Sequence, residues 1–398
     1  MVKRILIFGG GENQLTLIKA AKKLGVKSVV IDPKADAPGK NIADHFEVVG
    51  PSDYEHTREI ALKYKVDGIV TGQTENPLML MAQLAEDLGY IFPSREVIRH
   101  CRNKYMMKQA FIRHNIRCAK GLLLQENEKI TQELSEVIHF PLIIKPVDAF
   151  SSRGVYKVMQ FKDLIHLKTE SQSFSSDGSI LIEEYIEGPE FSVEAITFQG
   201  ETTIIQYTEK IITSYPYTVE MGHIQPAELD DNQKNKINAA VTNAIKALGI
   251  DNSASHTELK LSKDGPVILE IGARLGGDYI ASYLTLNSTG VDMDKAAIQI
   301  ALGIRPDIEK EINEYSYIKY FELPVGKVVR QIGNWKELFE TEDIVHAGIT
   351  IRKNDIIPEI TDSAKRPGFI IVKDYSREKV IKKAENICKK LKEYIKLN

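Results

Sequence analysis

The sequence predicts a multidomain protein of mixed α/β and α+β class. It has an N-terminal doubly wound parallel-sheet domain, a larger part built on antiparallel strands, and a small C-terminal α+β unit. Three observations predict this. Over residues 1–100, short continuously apolar strands alternate with amphipathic helices, the pattern of βαβ units whose sheet is covered on both faces. From about residue 180, strand-like runs follow one another across turns as short as Gln199-Gly200, too close for crossover helices and therefore antiparallel. The 398 residues, 43% of them hydrophobic, supply material for two or three cores.

In order, Arg4–Phe8 is an apolar strand ending in Gly9-Gly10-Gly11, and the next helix carries Leu15, Ile18, Ala21 and Leu24 on one face. Ser28–Ile31 is the second strand and stops at Asp32-Pro33. Tyr54–Tyr64 is a helix, Gly68–Thr71 a strand and Pro77–Leu88 a helix. A second part, about 101–305, opens with a helix near Asn103–His114. It continues with strands Leu142–Lys145 and Val155–Val158 around the polar loop Asp148–Gly154. Strands near 180–186, 190–198, 202–212 and 218–227 precede a helix at 231–248. The strands 256–262 and 266–271 form a hairpin across Lys263-Asp264-Gly265, followed by helices near 279–287 and 292–302. The third unit, 306–398, has strands near 317–323, 327–332 and 368–373. It ends in an amphipathic helix, 376–395, with Val380, Ile387 and Leu391 on one side and a solvated lysine-rich face opposite.

Net charge is −3, so no global basic field calls for nucleic acid or an anionic membrane surface. No apolar run approaches the ~18 residues of a membrane span. MVKRILIFGGG reads as a first strand rather than a signal peptide. Cys101, Cys118 and Cys388 lie far apart, with no C-x-x-C pair, as expected of reduced thiols in a cytoplasmic protein.

Several motifs carry chemistry. IFGGGENQ is a poor dinucleotide fingerprint, because the spacing is not G-x-G-x-x-G, although Asp32 sits about where a ribose-binding acid would. The turn suits either a small anion at a helix N-terminus or a simple chain reversal. Lys145 ends an apolar strand, where its ammonium must meet an anion or reach water. The loop after it holds Ser151, Ser152, Arg153 and Gly154, a set suited to covering phosphate oxygens. Lys104 opens a helix, against the helix dipole, as a lysine reaching for phosphate would. Glu183-Glu184-Tyr185-Ile186 leaves a strand and crosses to Glu190, offering backbone groups to a base edge and a carboxylate to a sugar.

Counting outward from the 263–265 turn, with Leu261 opposite Val267 and Leu259 opposite Leu269, makes Glu258 and Glu270 cross-strand neighbours on one side. Opposed carboxylates repel, and a divalent cation removes the repulsion. A glycosidase acid/base pair would also use two carboxylates but leaves the lysines and the loop idle. Arg274 is placed to hold a transferring phosphoryl group or an oxyanion. Gly276 and Gly277 let backbone N–H groups approach a ligand, and a helix starts near Asp278. His256 points the same way as Glu258 and reads as a packed histidine.

Taken in order, Lys104, Lys145 with its loop, Glu183–Ile186, Glu190, Glu258, and Glu270 with Arg274 resemble the ATP-grasp superfamily, over nearly the whole chain. The nearest subgroup resembles carboxylate–amine ligases, such as the L-amino-acid ligases and glycinamide ribonucleotide synthetases, with a lid-like C-terminal unit as in biotin carboxylase. The resemblance implies a substrate-binding domain at 1–100, an ATP-grasp domain at 101–305 with a small lid at about 115–185, and a lid-like domain at 306–398. It implies ATP with one or two Mg²⁺, or Mn²⁺ in their place, and small-molecule carboxylate and amine substrates. Lys104 and Lys145 would hold ATP phosphates beneath the loop of Ser152, Arg153 and Gly154. Backbone groups at Glu184 and Ile186 would take adenine, with Glu183 beside them in the nucleotide site, Glu190 the ribose, and Glu258 and Glu270 the metal. Arg274, Lys145 and Arg153 would serve the chemistry. Gly10, Gly11, Glu12, Glu75, Arg274, Gly276, Gly277 and Asp278 would receive the carboxylate. The acceptor side would draw on residues 207–222, including Tyr207, Tyr215 and Tyr217, with His223 nearby.

The family often has Asn two residues after the second metal-binding Glu, and here Gly272 stands there, which bears on a second metal ion. No biotin-acceptor lysine motif is present. A homodimer is expected by analogy. The rival readings are a glycinamide ribonucleotide synthetase-type or a bicarbonate- or formate-activating enzyme, a catalytically weak nucleotide-binding regulator, and an NAD-linked oxidoreductase.

Overall fold

The computed structural model describes residues 2–130, 139–213 and 216–398. The N-terminal sheet contains β1 (Arg4–Phe8), β2 (Lys27–Asp32), β3 (His45–Val48) and β4 (Gly68–Thr71), all parallel, in the order β3-β2-β1-β4. β1 is central, which explains its uninterrupted apolar run. Ile5 and Ile7 enter one core with Leu17, Ile18 and Ala21 of the first helix, while Leu6 and Phe8 enter another with Leu78 and Met81. β3 went unrecognised in the sequence because HFEV is a half-exposed edge strand without a long apolar run. The chain runs from β1 outward to β3 and then returns to the other side of β1, so the β1 and β4 ends flank a switch point, where open α/β sheets bind ligands.

A second sheet contains β5 (Gly121–Leu124), β6 (Leu142–Pro146), β7 (Tyr156–Val158) and β8 (Ile180–Glu184), antiparallel in the order β5-β8-β6-β7. Its apolar face, with Ile144, Val158 and Ile182, is covered by Leu164 of the helix Phe161–Gln172.

The third sheet draws on β9 (Glu190–Phe198), β10 (Glu201–Ile212), β11 (Glu220–Gln225), β12 (Ser253–Ser262), β13 (Gly265–Gly272), β14 (Tyr315–Tyr320), β16 (His346–Ile349) and β17 (Gly368–Asp374). β15 (Val329–Ile332) and β18 (Ile395–Leu397) pair apart from it. The order is β13-β12-β9-β10-β11-β14-β17-β16. The helix Asp231–Leu248, started by a capping box between Asp230 and Gln233, packs its buried Ile237, Val241 and Ile245 under this sheet. The helix Arg377–Glu393 buries Val380, Ile387 and Leu391 beside β14 and β17. The expected separate C-terminal unit shares its sheet with the preceding part: β11 pairs with β14 from Gly222↔Lys319 to Gln225↔Ser316, across the 305/306 boundary.

The β12–β13 register decides where the two acids point. Near the turn the partners are Leu261↔Pro266, Lys260↔Val267 and Leu259↔Ile268, one residue off the sequence-based count. Between Leu259 and Glu258 the register shifts, and Glu258 pairs with Glu270. Leu269 is therefore the extra residue of a β-bulge, which restores the glutamate pair that the turn register alone would have broken. Both Leu269 and Glu270 face the cleft beside this sheet.

On the helix Met293–Ala301, Asp294 is only 3% exposed, and burial pushes its carboxyl up from 3.8 to about 7. The folded protein therefore binds a proton between these values that the unfolded chain has lost. The resulting penalty is absent well below pH 3.8, still small at pH 4, grows toward pH 7 and is complete above it. Asp294→Asn is expected to raise unfolding free energy by about 4 kcal/mol more at pH 8 than at pH 4, measured by urea denaturation at both values.

Candidate active site

A cleft lies between the small sheet, the large sheet and the loop after β13. Lys104, Lys145, Ser152, Glu183, Glu184, Ile186, Glu190, Glu258, Glu270, Arg274, Gly277 and Asp278 all line it. Arg153 and Gly154 do not. Arg153 stacks on Phe150, 5.0 Å from the ring centre, with its Nε donating to the Phe150 carbonyl at 3.2 Å. Gly154 is buried against Pro146 and Phe174, and its carbonyl accepts from Ser171. The part of the loop that faces the cleft is Ala149–Ser152. Ser151 and Ser152 there hold φ of 64° and 57°, a left-handed conformation costly for serine. Ser152 Oγ meets Glu220 Oε2 at 3.3 Å.

The lysines are held by carboxylates. Glu183, nearly inaccessible, sits between Lys145, which it contacts closely, and Lys108, 2.6 Å away. Burial favours the neutral forms, yet mutual attraction prevails: Glu183 titrates below and Lys145 above its ordinary value. Glu183 thus faces the two ammonium groups and orients Lys145. Lys104 Nζ donates to the Ala149 carbonyl at 2.6 Å and reaches Glu270 at 3.1 Å, which accounts for a cation at a helix start. Beside them the Glu184 N–H is bonded to the Lys120 carbonyl, and the Tyr185 N–H to that of Pro141. The Ile186 N–H has no partner among the described residues.

Glu258 lies 2.9 Å from Lys210 and 3.4 Å from His256. His256 is also 2.5 Å from the fully buried Glu194. Burial opposes the imidazolium, but Glu194 outweighs it and lifts the His256 pKa to about 9. Glu258 is held well below the carboxylate range because Lys210 and His256 outweigh its own burial. The packed histidine expected from the sequence is therefore also a tether for Glu258. Lys210 contacts Glu190 at 2.7 Å and Glu220 at 3.3 Å as well.

The loop after β13 meets the switch point of the N-terminal sheet. Arg274 Nε donates to Glu75 Oε1 at 2.6 Å and Nη1 to the Leu275 carbonyl at 2.9 Å; Nη2 makes no hydrogen bond among the described residues. A Cβ at Gly272 would lie 3.3 Å from Glu75 Oε1 and 3.4 Å from Arg274 Cζ, so the bare glycine leaves room for that ion pair. Gln73 accepts from the Tyr279 N–H at 3.0 Å and donates to Ser282 Oγ at 2.7 Å. Asp278, at φ 51°, is gripped by Arg366 through both oxygens at 2.7 Å, with His223 at 3.0 Å. The helical segment after it begins at Ile280 rather than at Asp278.

Gly10, Gly11 and Glu12 lie at the end of β1 and do not line the cleft. The Gly10 N–H donates to Asp32 at 2.7 Å and the Lys34 N–H does so at 2.8 Å. Asp32 therefore fastens its own turn, and the dinucleotide reading loses its acid. Tyr207 turns away from the cleft toward Asn238 of the helix below, and Tyr217 packs near Tyr156. Tyr215 lies outside the described residues. Sequence reasoning missed Lys108, Glu194 and Arg366, and singled out neither Lys210 nor Glu220 within the 207–222 stretch it gave to the acceptor side. Lys108 alone had a local signal, one helical turn after Lys104.

Residues 138–282 match the model of the ATP-grasp domain, and residues 2–101 that of the ribonucleotide synthetase preATP-grasp domain. The chain therefore contains an ATP-grasp domain preceded by a preATP-grasp domain. It is 27% identical to dapdiamide A synthase from Enterobacter agglomerans over 77% of this chain and 75% of that protein. It is 28% identical to alanine–anticapsin ligase from Bacillus subtilis over 65% of this chain and 59% of that protein. The crystal structure of L-amino acid ligase from Bacillus licheniformis superposes with a TM-score of 0.81 at 22% identity, covering 100% of this chain and 98% of that one. The ATP-grasp match contains β6 to β13, and with them Lys145, Glu190, Glu258, Glu270 and Arg274.

Within this ATP-grasp site Gly276 is sterically required, because an added Cβ would lie 2.5 Å from Glu194 Oε2 and 2.8 Å from His256 Nδ1. Both groups are fixed in a buried pair and have no room to yield. Gly276→Ala is expected to cost about 1–3 kcal/mol of stability by overpacking, measured by denaturant unfolding.

Proposed function

We propose that the chain is an ATP-dependent carboxylate–amine ligase that forms an amide or peptide bond and releases ADP and phosphate. The observation that carries the reading is the pairing of Glu258 with Glu270 across the bulge, facing Lys104 and Lys145 over one cleft. A carboxylate is a poor electrophile. Its oxygen attacks the γ-phosphorus of ATP, the bond to ADP breaks, and an acyl phosphate results. The amine nitrogen then attacks the acyl carbon, phosphate leaves with the carbon–oxygen electron pair, and the amine's surplus proton passes to solvent. Such chemistry asks the protein chiefly for positioning and charge neutralisation.

In this reading Lys145, oriented by Glu183, and Lys104 hold the phosphates, while Ala149–Ser152 covers them and limits hydrolysis of the acyl phosphate. The Ile186 N–H faces the adenine edge and Glu190 the ribose. The donors at the paired glutamates are carboxylate oxygens, which fit Mg²⁺ or Mn²⁺ completed by phosphate oxygens and water. Among the described residues no cluster of three or more His, Cys, Asp or Glu has metal-binding spacing, so Glu258 and Glu270 are the protein ligands offered. A bound ion would neutralise charge on the phosphate oxygens. Arg274, fixed by Glu75, stabilises the acyl phosphate and the tetrahedral state.

Amino acids are the substrate class we favour. At the far end of the cleft Arg366 is committed to Asp278, which leaves it unavailable for the second phosphate of a phosphorylated amine. The name of the similar alanine–anticapsin ligase points the same way.

The test is ADP and phosphate release with Mg²⁺ across pairs of amino acids, with formate, bicarbonate and phosphoribosylamine as alternatives. Release that requires both a carboxylate and an amine, and yields an amide by mass spectrometry, is expected. Glu270→Ala is expected to lose about 10²-fold or more in turnover, and full turnover at saturating Mg²⁺ would remove Glu270 from the site.

A further inference from the structure

Lys210 is 2% exposed at its side chain, yet its ammonium lines the cleft and touches three carboxylates from three strands. Glu190 of β9 lies at 2.7 Å, Glu258 of β12 at 2.9 Å and Glu220 of β11 at 3.3 Å. Glu220 Oε2 in turn meets Ser152 Oγ of the covering loop at 3.3 Å and Ser363 Oγ of the C-terminal part at 3.2 Å. The Ser363 N–H also points at the Ser151 carbonyl, 3.5 Å away. Placing an ammonium in so buried a position is costly unless it is matched. Here it is matched three times, and no carboxylate of the set belongs to the same element as another.

We propose that Lys210 is a positioning residue through which the sugar end of the nucleotide site, the metal end and the covering loop are coupled. The inference rests on the ligase reading, in which Glu190 faces ribose and Glu258 faces metal. A single cation shared by both acids cannot serve them independently. When a metal ion draws Glu258 away, Lys210 turns more fully to Glu190 and Glu220, which sets Glu190 for the ribose hydroxyls and firms the hold of Glu220 on Ser152. Metal binding and nucleotide binding therefore favour one another by more than their direct contact supplies, and the linkage is reciprocal.

The test is equilibrium binding of ADP to the full chain by titration calorimetry, with and without Mg²⁺, for wild type, Lys210→Met and Lys210→Arg. Wild type is expected to bind ADP more tightly with Mg²⁺. Lys210→Met is expected to lose about tenfold of that enhancement, and Lys210→Arg to keep most of it. A merely structural lysine would shift melting temperature and affinity alike, leaving the enhancement ratio unchanged, and that result overturns the proposal.

Glu258→Gln reads the same link from the other end, and also serves should Lys210→Met fail to fold. Without Mg²⁺ its preference for ADP over 2′,3′-dideoxy-ADP is expected to change at least about threefold, because Lys210 is then freed toward Glu190. An unchanged preference overturns the proposal. Absence of any ADP binding by wild type would instead strike the nucleotide-site reading itself, and the proposal with it.

Discussion

Everything at the site depends on two carboxylates being made to face each other. Glu258 and Glu270 pair across β12 and β13, an arrangement that repulsion alone would forbid. The fold permits it by supplying cations: Lys210 and His256 at Glu258, and Lys104 at Glu270. These cations need counter-charges of their own, and the demand spreads outward to Glu190, Glu220 and Glu194. The cleft is thus lined by alternating charges, in which removal of one member leaves a neighbour buried and unmatched. That is the electrostatic form a site takes when it must hold a polyanion and a cation together.

The bulge at Leu269 gives this charge pattern its geometry. A strand pair has a side-chain period of two, so a one-residue error in register sends a carboxylate to the opposite face. The tight turn at 263–265 sets one register and the site needs another; one extra residue reconciles them. Arg274 is treated similarly, held by Glu75 from a different domain, in space that the absent side chain of Gly272 leaves open.

Most of the architecture was legible because it follows from local patterns. β1 is apolar at every position after Arg4 because both faces are covered. The helix Asp231–Leu248 announces itself by Asp230, Gln233 and the glycine at 249. Lys104, Lys145 and the two glutamates could be singled out because each violates a local expectation: a cation at a helix start, a lysine ending an apolar strand, like charges opposed. Lys210 violates nothing in TEKII, where it reads as one more polar residue on an alternating strand. Glu194 sits unremarkably in FSVEAI, and Arg366 is 88 positions from the aspartate it grips. Their roles arise only when distant strands converge. Glu258 opposite Glu270 was anticipated for an incomplete reason, since the count from the turn missed the bulge.

The continuity of the large sheet has a mechanical consequence. Because β14 is laced to β11, the carboxyl-terminal hundred or so residues cannot swing as a free flap; they are ballast on the same plank that carries Lys210 and Glu258. The small sheet of β5 to β8, by contrast, shares no strand pairing with that plank among the described residues. Severing the chain near residue 305 would not liberate a smaller working unit. It would bare the edge of β11 and leave behind Ser363, which lines the chamber, and Arg366, which grips Asp278 of its lining.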